Sequence, residues 1–168
     1  NGREGNTFAL LAVTDATARP PHRGMSCFIV EKEHPGLRVA QSIAKLGYKG
    51  IDTAELVFED FPVPFANLVG GVEGRGFKHV MSGLEMGRIN IAARAVGVGQ
   101  AAMDATLRHV RAVGGEAPAA LADMAAGLHA ARRLTYWAAG MKDRGERCDL
   151  EAGMAKLGAS ETAQSLAT

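Results

Sequence analysis

The sequence predicts an α+β, multidomain fold in which an antiparallel β-sheet or barrel portion is followed by an up-and-down α-helical bundle. Three observations support this prediction. Short apolar or alternating runs, separated by turns that contain glycine and proline, occupy the first 65 or so residues. From about residue 74, apolar residues recur at steps of three and four. The composition beyond that point is rich in alanine, the best helix former.

Four strands are predicted before the helical region. Two are apolar runs and two alternate: Phe8–Val13, Ser26–Val30, Leu37–Ala40 and Ala54–Glu59. Several short strands at this spacing are typical of a small antiparallel sheet or barrel. Two prolines, Pro62 and Pro64, end the strand pattern, and the domain boundary is placed shortly after them. The predicted domains are therefore a β-domain over residues 1–70 and a helical domain over residues 71–168.

A single long helix is predicted from about Gly74 to about Val113. Its stripe of apolar and small residues has the helical period: Phe77, Val80, Met81, Leu84, Ala92, Ala95, Gly99, Ala102, Met103 and Val110. At 1.5 Å per residue, such a helix is roughly 55 to 60 Å long. A helix of this length needs neighbours along its whole length, so we expect it to be the spine of the bundle.

Small residues crowd the middle of this helix. They are Gly83, Gly87, Ala92, Ala93, Ala95, Gly97, Gly99, Ala101 and Ala102. Each interior glycine costs roughly 1 kcal/mol of helix propensity relative to alanine. Several together indicate that another backbone, or a flat ligand, lies close against the helix. The sequence leaves both possibilities open.

Two further helices are predicted after the long one. The first runs over about residues 118–144, and Gly145 ends it. Its expected apolar stripe is Leu121, Met124, Leu128, Ala131, Leu134 and Ala138. The third helix is predicted to begin with Asp149 as its N-cap. Two aromatic residues of the second helix, Tyr136 and Trp137, are expected to pack inside the bundle.

The composition and net charge of the chain exclude several classes of protein. The net charge is +1 and no run of lysine and arginine occurs, so nucleic-acid binding is not expected. The sequence has no signal peptide and no apolar run of about 18 residues, so we expect a soluble protein without a membrane span. The two cysteines, Cys27 and Cys148, and the five histidines lack the spacing of metal ligands. Free thiols and no metal site are therefore expected.

Both ends of the sequence indicate a piece of a longer chain. The sequence opens in the polar stretch Asn1–Asn6 and reaches its first strand directly afterwards. It stops at Thr168 within a helical pattern that has neither a glycine cap nor a proline stop. We expect further sequence beyond both ends.

Two charged residues of the long helix are the first candidates for chemistry. Glu85 and Arg88 lie three positions apart, a spacing usually found on a solvated helix face. The neighbours of Arg88 include Met86, Gly87 and Ile89, so a partly buried guanidinium is also consistent with the sequence. A buried arginine needs an anionic partner.

Two glycine-rich stretches do not match a nucleotide-binding fingerprint. No strand ends directly into Gly70–Gly76, and Gly97–Gly99 lies in the middle of a helix. We interpret Gly70–Gly76 as a flexible hinge that leads into the long helix.

Several ordered motifs resemble those of the acyl-CoA dehydrogenases, a flavin-dependent family. In the first part of the chain they are Lys45–Gly47, Asp52–Asp60 and Val63–Leu68. In the helical part they are Glu73–Phe77, Leu84–Arg88, Ile91–Gly97, Leu121–Met124, Ala130–Leu134 and Glu151–Leu157. The resemblance covers nearly the whole chain. It implies that the chain is the later part of the family's middle β-domain followed by most of three helices of its C-terminal four-helix bundle.

The resemblance implies an activity, a cofactor and partners. The activity is the FAD-dependent α,β-dehydrogenation of an acyl-CoA thioester, a step of fatty acid metabolism. A glutamate removes the α-proton while the flavin accepts a hydride from the β-carbon, and the electrons usually pass to an electron-transfer flavoprotein. The resemblance also implies a homo-oligomer, a dimer or a tetramer, in the bacterial cytoplasm or the mitochondrial matrix.

The resemblance assigns substrate contacts to one segment of the long helix. Glu85, Met86, Gly87 and Arg88 match the segment that lines the acyl-CoA site, commonly L-D-M-G-R, with Glu85 in place of aspartate. Gly87 would leave room for the acyl chain, and Arg88 would supply buried positive charge. These four residues are therefore predicted to bind the substrate.

The resemblance assigns two FAD contacts and no catalytic residue. Asn1 is what remains of a W-[IT]-[ST]-N run, and Arg111 stands near the arginine of an R-x-x-F-G motif. Gly87 occupies the position at which some members carry the catalytic glutamate, so the base is expected beyond Thr168. We therefore expect the chain to be inactive by itself.

One departure from the family pattern favours an alternative function. The segment between Arg111 and Leu121 is shorter than in the family, either through a deletion or because residues are missing from the sequence. A deletion there would remove a flavin contact. The alternative is a non-catalytic relative that uses the bundle for assembly or binding.

Overall fold

The computed structural model describes residues 1–114 and 118–168. Four strands come first: β1 Thr7–Val13, β2 Met25–Glu31, β3 Leu37–Ser42 and β4 Ala54–Phe58. Three helices follow: α1 Gly76–Val113, α2 Ala120–Asp143 and α3 Asp149–Ala167. Short 3-10 turns lie at Pro21–Gly24, Phe65–Asn67 and Val69–Gly71. The predicted class, antiparallel strands followed by an α-helical bundle, is confirmed.

The strands pair as two antiparallel two-stranded sheets. Strand β1 pairs with β2 from Thr7 opposite Glu31 to Val13 opposite Met25. Strand β3 pairs with β4 with a register shift between Val39 and Gln41. Each sheet thus joins two strands that are neighbours in sequence, which the strand spacing alone did not specify.

The contacts of the chain group its residues into two compact units, residues 1–81 and 82–168. The division therefore falls within α1, whereas the sequence placed the domain boundary between residues 70 and 71. That boundary stays a prediction.

In the first unit, the stretch that leads into α1 is seated on β2. The Ser26 hydroxyl is fully buried, lies 2.8 Å from the Thr14 hydroxyl and accepts a hydrogen bond from the Gly74 amide at 2.9 Å. A Cβ on Gly74 would lie 2.4 Å from the Arg23 carbonyl oxygen, and one on Gly76 would lie 2.3 Å from the Ser26 carbonyl carbon. The flexible hinge expected for Gly70–Gly76 is therefore wrong at Gly74 and Gly76, because both glycines permit a close backbone approach.

Helix α1 agrees with the predicted long helix but not with all of its predicted stripe. The residues of α1 that are buried in the second unit are Ile89, Ala92, Gly99 and Met103. Two predicted stripe residues, Met81 and Leu84, are exposed. Ile89, which the predicted stripe omitted, takes a buried position instead. The buried face thus agrees with the predicted stripe from Ala92 onwards and differs from it only around Met81, Leu84 and Ile89.

The core of the second unit is built mainly from alanine. One cluster of buried residues contains members of all three helices: Ile89, Ala92, Ala131, Ala138, Cys148, Ala152, Ala155 and Ala159. A second cluster contains Met103, Leu121 and Leu128. Small side chains let helix backbones approach closely, so packing between helices accounts for the buried small residues of α1.

The ends of α2 and α3 differ in how well the sequence predicted them. Gly145 ends α2 with φ of 71°, and its amide donates to the Lys142 carbonyl. Cys148, not Asp149, is the N-cap of α3. The Asp149 carboxylate accepts hydrogen bonds from the Arg147 guanidinium at 2.7 and 3.0 Å, so it does not cap the helix.

Two aromatic residues of α2 are not inside the bundle. Tyr136 and Trp137 are exposed, contrary to the prediction, because the buried positions of this part of α2 are Thr135 and Ala138.

Among the described residues, no helix is both long and apolar enough to cross a membrane. The described residues also contain no cluster of three or more histidine, cysteine, aspartate or glutamate side chains that could hold a metal ion.

Candidate functional site

The segment Leu84–Arg88 lies in the third and fourth turns of α1. Consecutive residues of an α-helix are about 100° apart around its axis, so residues two positions apart lie on nearly opposite sides. Glu85 and Gly87 therefore cannot line the same surface. The structure agrees, because Glu85 faces the other helices of its unit while Gly87 borders open space.

Glu85 connects three helices. Its Oε2 accepts a hydrogen bond from Lys142 Nζ, near the end of α2, at 2.5 Å. Its Oε1 accepts from the backbone N–H of Cys148, the N-cap of α3, at 3.2 Å and lies 3.4 Å from the Cys148 Sγ. The Glu85 side chain is only 13% exposed. Both carboxylate oxygens are thus engaged within the bundle, and Glu85 does not pair with Arg88.

These contacts shift the pKa values of all three groups. The hydrogen bond from Lys142 is the main cause that lowers the pKa of Glu85; burial opposes it, and the hydrogen bonds from Cys148 add to it. The same hydrogen bond raises the pKa of Lys142. Burial, and then the neighbouring Glu85 carboxylate, raise the pKa of the Cys148 thiol. At neutral pH the cluster therefore holds a carboxylate, an ammonium and a neutral thiol.

The opposite side of α1 is bare. A Cβ on Gly87 would meet no atom of the described residues within 4 Å, and the same holds for Gly83, one turn earlier. Leu84 and Ile91 are 47% and 37% exposed on the same side. We call Gly83, Leu84, Gly87 and Ile91 the open face of α1. An apolar molecule can approach the helix backbone closely here, because two glycines leave the backbone uncovered.

Arg88 and Met86 border the open face from either side. Both are exposed, so the partly buried guanidinium expected for Arg88 is wrong for the described chain. The reason is that Ile89, the next residue, takes the buried position. Arg88 is near enough to Asp149 that its charge contributes to lowering the pKa of that carboxyl, after the larger effect of Arg147. Arg88 thus presents a positive charge beside an apolar surface.

The two residues predicted to contact FAD belong to different units. Asn1 belongs to the first unit, and Arg111 lies exposed in the last turn of α1 in the second unit. A guanidinium suits the diphosphate of FAD, but a basic residue in the last helical turn also complements the helix dipole. The assignment of both residues to FAD stays a prediction. Residues 115–117, within the segment predicted to be short, lie outside the described residues.

The comparisons with known proteins decide the family. Residues 1–61 match the middle domain of acyl-CoA dehydrogenases, and residues 74–168 match their C-terminal domain. This chain belongs to the acyl-CoA dehydrogenase family. The family consists of flavoprotein oxidoreductases.

Three relatives show how far the similarity extends. The acyl-CoA dehydrogenase of Bacillus subtilis is 43% identical over 94% of this chain and 42% of its own length. The mitochondrial short-chain specific acyl-CoA dehydrogenase of Rattus norvegicus is 39% identical over 99% of this chain and 42% of its own length. The butyryl-CoA dehydrogenase structure from Megasphaera elsdenii superposes with a TM-score of 0.87 at 32% identity, over 99% of this chain and 45% of that chain. The chain thus spans less than half the length of these relatives.

The matching segment of the rat enzyme is longer than this chain. It spans 177 positions, nine more than the 168 residues of this chain. The rat enzyme therefore contains at least nine residues without a counterpart here. This chain is thus shortened internally relative to the rat enzyme.

Sequence reasoning missed two members of the Glu85 cluster. Lys142 and Cys148 lie 57 and 63 residues beyond Glu85, and neither was a candidate for a specific contact. The available signal was Glu85 itself, an acidic residue close to the buried positions 89 and 92 of the same helix. Nothing in the local sequence identifies which distant groups meet it.

Proposed function

We propose that this chain is part of an FAD-dependent enzyme that dehydrogenates acyl-CoA thioesters between the α- and β-carbons. Family membership supports this proposal. The observation that carries it is the open face of α1, where Gly87 leaves the helix backbone bare beside the exposed cation of Arg88. An acyl-CoA combines an apolar chain with anionic phosphates, and this surface combines the matching properties.

The roles of the segment Leu84–Arg88 follow from which side of α1 each residue occupies. Gly87 admits the thioester end of the acyl chain, with Met86 as an exposed, adaptable apolar neighbour. Arg88 attracts the negative charge of the coenzyme A moiety. Glu85 contacts the bundle and not the substrate. The proposed substrate-binding residues are therefore Met86, Gly87 and Arg88.

The remaining features of the proposal rest on the family. FAD is the cofactor, and Asn1 and Arg111 are its proposed contacts within this chain. The proposed partners are an electron-transfer flavoprotein and further copies of the chain in a homodimer or homotetramer. The proposed setting is fatty acid metabolism in the bacterial cytoplasm or the mitochondrial matrix, and residues 1–70 are proposed to be the later part of the middle β-domain.

The second candidate is a non-catalytic relative that uses the bundle for assembly. An exposed stripe on α3 favours it, since Leu150, Met154 and Leu157 recur at helical spacing and are about half exposed or more. The shortening relative to the rat enzyme favours it as well. The two candidates differ in whether the open face of α1 binds a coenzyme A ester.

Calorimetric titration with a non-reacting enoyl-CoA tests the proposal. We expect the chain to bind it, and we expect Gly87→Leu to weaken binding at least tenfold by covering the bare backbone. Gly153→Leu is the matched control, because Gly153 is a glycine of α3 that also borders open space. Equal affinity of the chain and Gly87→Leu would contradict the proposed site, and binding by neither would favour the assembly protein.

A further inference from the structure

Glu85 supplies a hydrogen-bond acceptor to a backbone N–H group at the start of α3. The first backbone N–H groups of a helix have no partner within it and usually receive a side-chain cap. Cys148 occupies the N-cap position of α3, and its side chain makes no capping hydrogen bond. The Glu85 carboxylate, from α1, accepts the Cys148 N–H instead. It also places a negative charge where the positive end of the α3 dipole lies.

The same carboxylate holds the end of α2. Lys142 lies in the last turn of α2, and its ammonium donates to the second Glu85 oxygen. The five residues from Arg144 to Cys148 connect α2 to α3, so Glu85 is tied to both sides of that connection. Contacts at both carboxylate oxygens restrict the rotation of α1 about its axis, together with the packing of Ile89 and Ala92 in the core.

We propose that Glu85 is a positioning residue that fixes the rotation of α1 and thereby directs Gly87 and Arg88 towards the coenzyme A ester. Glu85 does not touch the ester, since it lies on nearly the opposite side of the helix from Gly87. This role rests on the proposed function of the open face. The hydrogen bonds of Glu85 to Lys142 and Cys148, called the Glu85 tie below, do not rest on that proposed function. The tie and the positioning role can therefore be tested separately.

The two buried thiols of the chain allow the tie to be measured. Cys148 is in contact with Glu85, whereas Cys27 is equally buried in the first unit, far from it in sequence. Glu85→Gln keeps the size of the side chain but removes the charge that holds Lys142. We expect Cys148 to react with 4,4′-dithiodipyridine at least tenfold faster in this variant, with the rate at Cys27 within twofold. Glu161→Gln, at an exposed glutamate of α3, is the control and should change neither rate.

Titration of the same variants with the enoyl-CoA tests positioning. We expect Glu85→Gln to weaken binding about tenfold, although the side chain is on the wrong side of α1 to contact the ligand. Leu128→Ala is the comparison for a purely structural effect, because Leu128 is a buried core residue of α2 without contact to Glu85. It should lower the stability of the bundle and leave the affinity within twofold.

Each outcome decides one part of the proposal. An unchanged rate at Cys148 in Glu85→Gln overturns the tie, and a faster rate with unchanged affinity overturns the positioning role. Absence of binding by the unsubstituted chain overturns the proposed function and the positioning role with it, whereas the thiol rates still report on the tie. If Glu85→Gln does not fold, Lys142→Gln removes the same charge pair from the less buried partner and should give the same selective increase at Cys148.

Discussion

At the scale of single residues, the charge on Glu85 makes stability depend on pH. Its pKa is lowered in the folded chain, so its contribution is present above the unfolded pKa of about 4.3 and is lost as the pH falls through the folded value. The pKa of Lys142 is raised, so its contribution is present below about pH 10.4 and is lost as the pH rises through the folded value. The other groups nearby include the Cys148 thiol, whose pKa is raised by burial and then by Glu85, the guanidinium of Arg147, which stays charged, and the carboxylate of Glu151.

Urea unfolding of the chain and of Glu85→Gln at several pH values measures this dependence. We expect the difference in unfolding free energy between them to be constant from about pH 6 to pH 8, because the carboxylate is ionised in both folded and unfolded states there. The difference should shrink below about pH 4, as protonation removes the charge from Glu85. A difference that does not change with pH would show that the ion pair contributes nothing to folding.

Two glycines near the start of α1 should respond oppositely to substitution by alanine. At Gly76 the added Cβ would collide with the backbone of Ser26, so Gly76→Ala should destabilise the chain by about 1 to 3 kcal/mol. At Gly83 the added Cβ would meet nothing within 4 Å in the described part of the chain, so Gly83→Ala should stabilise by up to about 1 kcal/mol through helix propensity. Urea unfolding of both variants measures the two values. Similar changes at the two positions would contradict the close approach of Gly76 to β2.

At the scale of elements, α3 depends on small residues along its buried face. Ala152, Ala155, Ala159 and Ala163 are the buried residues of this helix. Ala155→Leu should destabilise the bundle by about 1 to 3 kcal/mol, because a larger side chain forces the helices apart. Leu157→Ala, two positions along at an exposed residue, should change stability by no more than about 0.5 kcal/mol. Thermal unfolding compares them, and equal effects would mean that the alanine face is not packed.

At the scale of the whole molecule, the chain should bind its ligand without completing the reaction. Its residue at position 87 is a glycine, which cannot remove a proton, and Glu85 faces the bundle. With added FAD and a range of acyl-CoAs, we therefore expect no dye reduction above the background of the free flavin. Robust turnover would show that a catalytic base lies within these 168 residues.

The sequence by itself determined the elements and the family. Strand and helix positions depend on periodicity and on local turn residues, which is why α1 and the Gly145 end of α2 agree with prediction to within a few residues. The motif Leu84–Arg88 needed no tertiary information either, because the match lies in consecutive residues.

The apolar stripe predicted for α2 is its buried face, but only the tertiary structure decided which side of α1 is covered around Glu85 and Gly87. A Cβ on Gly99 would lie 3.1 Å from the side chains of Leu128 and Leu166, whereas one on Gly87 would meet no described atom within 4 Å, although both are glycines of one helix. The partners of Glu85 likewise come from α2 and α3, more than fifty residues away. A helical period specifies how residues are arranged around an axis, but the rotation of that axis against its neighbours depends on long-range packing and on contacts such as those of Glu85.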